Sequence, residues 1–142
     1  MTWTAASRRW TFDLAAEFGH RDVTDDLDAF LSEVPIRTGQ LTVQLAGSTG
    51  AITTIEYESG ALADLRRALD RMAPAGDDYA HNARWGDGNG FSHVRSALLK
   101  TSLSIPIVDG RLVLGTWQQV VVINLDNRAR KREVVAVVVG ER

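Results

Sequence analysis

The stretch that decides the fold is Ile105–Asp126, IPIVDGRLVLGTWQQVVVINLD. Asp109-Gly110 stands between two apolar runs, the strongest short-range hairpin signal a sequence carries. Strands are predicted on either side, at Ser102–Ile107 and Arg111–Leu114. Gly115 turns the chain again, and a long strand follows at Thr116–Leu125. Side chains in a strand alternate between faces. Trp117, Gln119, Val121, Ile123 and Leu125 therefore share one side, which reads as core. Thr116, Gln118, Val120, Val122 and Asn124 share the other. That side sets amides among small apolar groups, which suits a lined cleft or a subunit contact.

Downstream, Glu133–Val139 (EVVAVVV) is apolar on both faces. It is either a central strand or one covered by a neighbouring subunit. Upstream, Arg9–Leu14 alternates and carries aromatic residues, so it predicts a first strand. Glu17–Val23 is polar, holds Gly19 and reads as a loop. Thr24 is a good N-cap for a helix at Asp25–Glu33, with acids at its positive end and Pro35 beyond its last turn. Gln40–Ala46 and Ala51–Tyr57 predict two more strands, separated by Gly47-Ser48-Thr49-Gly50. Ala61–Met72 places Leu62, Leu65 and Leu69 on one face with charge opposite, the clearest amphipathic helix in the chain. Asp77–Phe91 reads as a long loop whose aromatic residues argue against disorder. Ser92 then caps a short helix, His93–Leu99.

These strands come in runs, without alternating βα units. The expected class is α+β: an antiparallel, β-rich, sandwich-like domain with two or three helices. At 142 residues the chain is the size of one domain, residues 1–142. A net charge of −2 gives no reason to propose nucleic acid. The basic run Arg128–Arg132 is favoured as a solvated turn between strands. The absence of cysteine excludes disulfides, thiolate metal sites and a cysteine nucleophile. It also fits a reducing, cytoplasmic setting. No apolar run approaches the roughly 20 residues that span a bilayer.

Two histidines lie near each other, His81 in the long loop and His93 opening the helix after it. Imidazole is the commonest metal ligand and the natural acid–base group near neutral pH. Free N–H groups at a helix N-terminus beside His93 attract an anion. Their spacing matches no zinc pattern, and histidines of this kind are more often structural or exposed. Glu56, at a strand end, is either a surface residue or a general base. Gln118 either binds a ligand or satisfies backbone groups in the sheet. Asp87-Gly88-Asn89-Gly90 and Gly47–Gly50 lack phosphate-loop signatures. Ser48 and Ser92 show no nucleophile pattern.

Five blocks occur in fixed order: Tyr79-Ala80-His81, Ser92–Leu99 (SHVRSALL), Ile105-Pro106-Ile107, Gly110-Arg111-Leu112 and Leu114–Gln118 (LGTWQ). A strand then leads to Asp126 and to Arg128, Arg130 and Arg132. Together they resemble the YjbQ-like family, whose members are named secondary thiamine-phosphate synthase enzymes. The resemblance runs from Arg9 to Gly140. It implies an α+β fold assembled as a homotrimer, with a site between subunits whose histidines hold a metal ion or an anion.

Thiamine-phosphate synthase action joins a pyrimidine diphosphate to a thiazole phosphate and releases pyrophosphate. That chemistry needs neutralisation of the leaving group. His81, His93, Glu56 and Gln118 match the family. Gly47 stands where a histidine is usual, Glu56-Tyr57 and Ser59 replace Glu-Asn and a downstream Asp, and Asn124 replaces a glutamate. The resemblance thus assigns His81, His93 and Glu56 to catalysis. It assigns Gln118, Trp117, Ser96 and Asn124 to the ligand, and His81 and His93 to a divalent metal. The expected partner is a small phosphate-bearing ligand. The rival expectation is a non-catalytic trimeric scaffold that has lost its site.

Overall fold

A computed structural model describes residues 2–142. In chain order the elements are β1 (Trp3–Leu14), β2 (Gly19–Asp22), α1 (Thr24–Ser32), β3 (Thr38–Ala46), β4 (Gly50–Ile55), α2 (Ser59–Met72), α3 (Ala80–Trp85), α4 (Gly90–Leu99), β5 (Ser102–Val108), β6 (Arg111–Leu112), β7 (Gln119–Asn124) and β8 (Arg130–Glu141). All strand pairs are antiparallel. One sheet runs β1-β8-β3-β5-β6 and the other β2-β7-β4. The α+β class holds, with one helix more than expected.

Alternation builds the five-stranded sheet. Leu41, Val43 and Leu45 of β3, Val134, Ala136 and Val138 of β8, and Ile105 and Ile107 of β5 all point inward. They meet Ile52, Val120 and Val122 of the smaller sheet, with α1 contributing Leu27, Phe30 and Leu31. Val121, Ile123 and Leu125 pack the other way, against Leu62 and Leu69 of α2 and Leu99 of α4. Strand β7 is thus core on both faces, with no cleft face. It also starts at Gln119 rather than Thr116, because Gly115–Gln118 forms a turn closed by Gln118 N–H to the Gly115 carbonyl at 3.0 Å. Trp117, expected inward, is 72% exposed on that turn.

The doubly apolar strand β8 is central, paired to β1 on one side and β3 on the other. Its outer face stays open, with Val137 and Val139 exposed beside Ser7, Ala5, Thr42 and Gln40 in register. Asp109 and Gly110 both take positive φ, 52° and 75°, as the hairpin signal requires.

Five expectations are corrected. The first strand begins at Trp3 because its whole length pairs with β8. The polar loop at Glu17–Val23 contains β2, whose GHRD sequence has little strand propensity of its own and is held by pairing with β7. Thr24 lies inside α1; Asp22 accepts the Thr24 N–H at 2.9 Å, while Thr24 Oγ1 accepts the Val120 N–H at 2.8 Å. The loop at Asp77–Phe91 contains α3 and the first turn of α4, so Ser92 is within the helix and bonds Asn89. Helix α2 begins earlier than expected because Glu58 caps it, accepting from the Gly60 and Ala61 N–H groups.

A buried polar knot closes one end of the sandwich. The Asn124 amide donates to the carbonyls of Ala15 and Arg128 at 3.0 and 2.9 Å, tying β7 to the β1–β2 corner and the approach to β8. Asp126, fully buried, accepts from Thr49 Oγ1 at 2.8 Å, Arg130 Nε at 3.0 Å and the Arg128 N–H at 3.0 Å. Burial alone pushes the Asp126 carboxyl up. The bonds from Thr49, Asn89 and Arg128 and the Arg130 charge outweigh it, and the carboxyl titrates below its ordinary value.

Two predictions follow from this packing. Ile123→Ala should cost about 2–5 kcal/mol, whereas Trp117→Ala should stay within about 0.5 kcal/mol; urea denaturation compares them. The lowered Asp126 carboxyl contributes stability in full above its ordinary value of 3.8, and that contribution is lost as pH falls through the lower folded value. Asp126→Asn should therefore lose about 1–3 kcal/mol at pH 7. It should also lose less than the parent on acidification below pH 3.8. An unchanged acid dependence in denaturation melts would contradict this role.

Candidate functional site

The two histidines expected in a loop and a helix sit on adjacent short helices. Gly86, at φ 68°, ends α3, and Gly88 repeats that left-handed conformation before α4. Gly90 allows the close approach: a Cβ there would lie 2.4 Å from Tyr79 Cβ. The Asn82 side chain accepts the Gly90 N–H at 2.8 Å and locks the joint. In turn Arg95, buried on α4, donates to the Ala73 carbonyl and to Asp70, fixing α4 against the end of α2.

This joint brings the His81 and His93 rings together, centroids 4.4 Å apart and planes tilted by 44°. The Asp87 carboxylate lies 3.3 Å from His81 Nδ1. It is off line for a hydrogen bond, so that buried nitrogen has no hydrogen-bond partner. Such an atom needs a functional or structural reason to persist.

His93 opens onto a cleft of about 320 Å³ lined by Gly47, Ser48, Ser96, Lys100 and Thr101. The β3–β4 turn supplies one wall and α4 the other. Ser96 is in the cleft as expected, but its hydroxyl already donates to the Gly50 carbonyl at 2.6 Å. It can still accept a bond. Lys100 was not foreseen. It follows α4 with φ 78°, a conformation glycine takes freely and lysine does not. No carboxylate lines this cleft.

The other expected residues lie elsewhere. Gly50 pairs with Asn124 at one end of the β4–β7 ladder, and Ile55 with Gln119 at the other. Five strand steps separate the ends, about 17 Å. Glu56, Trp117 and Gln118 are exposed beyond the far end, away from the histidines within one chain. Gln118 bonds Thr54 Oγ1 and the Gly115 N–H. Asn124 is at the near end, but fully buried with its amide committed to backbone carbonyls, so it does not face a ligand.

A metal also fits poorly. Among the described residues no three His, Asp or Glu side chains converge as ligands. Gly47 offers no donor, and two tilted, stacked imidazoles leave a site short of the three protein ligands usual for catalytic zinc.

A second cleft, of about 430 Å³, lies between β2 and α2, with Phe18, His20, Tyr57 and Arg66 on its walls. His20 Nδ1 and Tyr57 Oη are 2.9 Å apart. His20 carried no motif, and only the pairing of β2 with β7 brings it to Tyr57.

No helix among the described residues is long and apolar enough to cross a membrane. The model of the family described as UPF0047 protein YjbQ-like matches residues 8–141. A UPF0047 protein of Methanothermobacter thermautotrophicus is 37% identical over 82% of this chain and 80% of its own length. UPF0047 protein YjbQ of Salmonella typhimurium is 30% identical over 87% and 90%. Among solved structures, a YbjQ-like protein of unknown function from Sulfolobus solfataricus superposes with a TM-score of 0.93 at 25% identity, covering 99% of this chain and 100% of that one. With these matches spanning nearly its whole length, the chain belongs to the UPF0047 family of YjbQ-like proteins.

Proposed function

We propose that this protein binds a small phosphate-bearing ligand in the cleft between the β3–β4 turn and α4, with His93 on its wall and His81 against the His93 ring. The observation that carries this reading is the stacked imidazole pair, with an unbonded nitrogen on His81, beside a cleft that holds Lys100 and no carboxylate. A hydrogen bond between a donor and an ionised phosphate oxygen is shorter and stronger than a neutral one. Ser48, Thr101 and His93 supply such donors at the rim. Weak thiamine-phosphate synthase-type transfer is the enzymatic form of this reading, in which the same donors neutralise departing pyrophosphate. Glu56 and Gln118 of the same chain lie too far away to share in that step.

Calorimetric titration with a pyrimidine diphosphate and with inorganic phosphate tests the reading. The parent should bind; His93→Ala should weaken binding by about tenfold and His81→Ala less. Equal heats from parent and both variants would remove it. Release of pyrophosphate from the pyrimidine diphosphate and a thiazole phosphate separates turnover from binding.

A second reading, a trimeric scaffold without turnover, draws on the open face of the five-stranded sheet. Val137 and Val139 are exposed at its centre, on its most apolar strand, and a second copy of the chain is the occupant we propose. Sedimentation of the parent at micromolar concentration should give a trimer, and Val137→Glu a smaller species. A parent sedimenting as a monomer would overturn it.

A further inference from the structure

Arg132 is 6% exposed, and its guanidinium is only part-satisfied. Nε and Nη2 donate to Asn124 Oδ1 at 3.2 and 2.6 Å, and Nη2 also donates to Thr49 Oγ1 at 2.7 Å. Both acceptors are neutral. The nearby carboxylate, Asp126, spends its oxygens on Thr49, Arg130 and the Arg128 N–H. Arg132 forms no ion pair, and Nη1 has no hydrogen-bond partner among the described residues. A buried charge whose acceptors are all neutral is costly to hold, and the two Nη1 N–H groups, which are not fully buried, stay open to a further acceptor. Burial accordingly pushes the guanidinium's proton affinity down, partly offset by Asp126.

What Nη1 faces is Gly47. A Cβ built at that residue would stand 2.9 Å from Nη1, and its next neighbour, a Leu45 methyl, at 3.6 Å. Gly47 does not have positive φ and makes no tight backbone approach, so no turn geometry demands glycine here. The missing methyl leaves no side chain between Nη1 and Gly47, and Gly47 lines the cleft while Arg132 stands behind that lining. On the opposite wall stands Lys100, held at positive φ, a conformation lysine rarely adopts. A buried cation without a carboxylate partner behind a side-chain-free window, with Lys100, Ser48 and Thr101 on the lining of the same cleft, describes an oxyanion cradle.

We propose that Arg132, reached past Gly47, anchors a tetrahedral oxyanion, either free phosphate or the terminal group of a phosphate monoester, with Lys100 closing on its far side. The proposal rests on the phosphate-bearing reading of this cleft and names the group that holds the charge. It makes Gly47 a specificity residue. Without a side chain there, the cleft presents a guanidinium in place of a donor set for a cation.

Titration with inorganic phosphate at constant ionic strength, followed by calorimetry and backbone amide shifts, tests it. Arg132 also braces Asn124 and Thr49, so its own substitution risks unfolding. Gly47→Ala and Gly47→Leu block the window from an exposed loop instead, and Lys100→Gln removes the opposing charge. Lys100→Gln should share the parent's urea midpoint, and Gly47→Ala, whose new Cβ presses on Nη1, should remain fully folded in the absence of urea. Phosphate binding should weaken about tenfold in Gly47→Ala, further in Gly47→Leu, and severalfold in Lys100→Gln, by the loss of charge-assisted bonds. Phosphomonoester in place of phosphate should follow the same order.

If His93→Ala loses phosphate while both Gly47 variants and Lys100→Gln bind as the parent does, Arg132 is not the anchor, and the broader reading of the cleft survives. If the parent shows neither heat nor shifts with millimolar phosphate, both fall. Shifts confined to residues outside Gly47–Thr49 and His93–Thr101 would equally overturn the anchor.

Discussion

Strand β7 is the constraint on which the rest of the structure depends. It is buried on both faces, so the fold must supply cover on each side of it. The five-stranded sheet covers Val120 and Val122, and α2 with α4 covers Val121, Ile123 and Leu125. Two layers on opposite sides of one thin sheet explain why so small a domain keeps two hydrophobic clusters. They also explain the position of α4. To bring Leu99 over β7, the helix must run along the β4 side, which carries His93 to the β3–β4 turn.

The ends of β7 are treated differently. At its C-terminal end, Asn124, Asp126, Thr49 and Arg132 form a buried network that fixes three chain segments at once. At its N-terminal end, Gly115–Gln118 is an exposed turn with Trp117 in solvent. A chemically demanding site needs groups held by packing, and only the first end offers that. The LGTWQ block carries a family resemblance, yet within one chain it lies at the loose end. Its tryptophan is exposed and adds nothing to either hydrophobic cluster.

How much of this was readable in advance follows from where each signal resides. Asp109-Gly110 sets its own dihedrals, so the hairpin was legible from two residues. Strands β3, β5 and β8 were legible because one buried face imposes period two. By contrast, β2 is made by its partner, and GHRD announces nothing. Thr24 looked like a cap because its side chain is a cap's; the structure uses Asp22 instead and assigns the threonine hydroxyl to Val120, across the sequence. The pairing of His81 with His93 was anticipated as a shared pocket, but the local means, Gly90 against Tyr79, was hidden in a stretch taken for a loop. Its one visible trace was Gly86, a C-cap glycine after a six-residue helical stretch. Asn124 failed as a ligand residue for a different reason: an amide in a strand can face a cleft or satisfy backbone, and only the three-dimensional neighbours of β7 decide.

The charge of the whole chain and the charge of the cleft point in different directions, and the second governs ligand choice. A net charge of −2 argues against a broad basic surface, because tracking a nucleic-acid backbone takes many cations spread over one face. A single oxyanion asks for much less: two cations and a few donors within one cavity, screened little by salt where one of them is buried. Arg132 and Lys100 meet that demand without altering the chain's balance. The same arithmetic bears on a metal. A divalent ion in the cleft would meet Lys100 and a single imidazole, His93, with no carboxylate among the lining residues. For the proposed oxyanion site, the electrostatic support is thus local: Lys100 on the lining, Arg132 behind Gly47, and no carboxylate on the cleft wall.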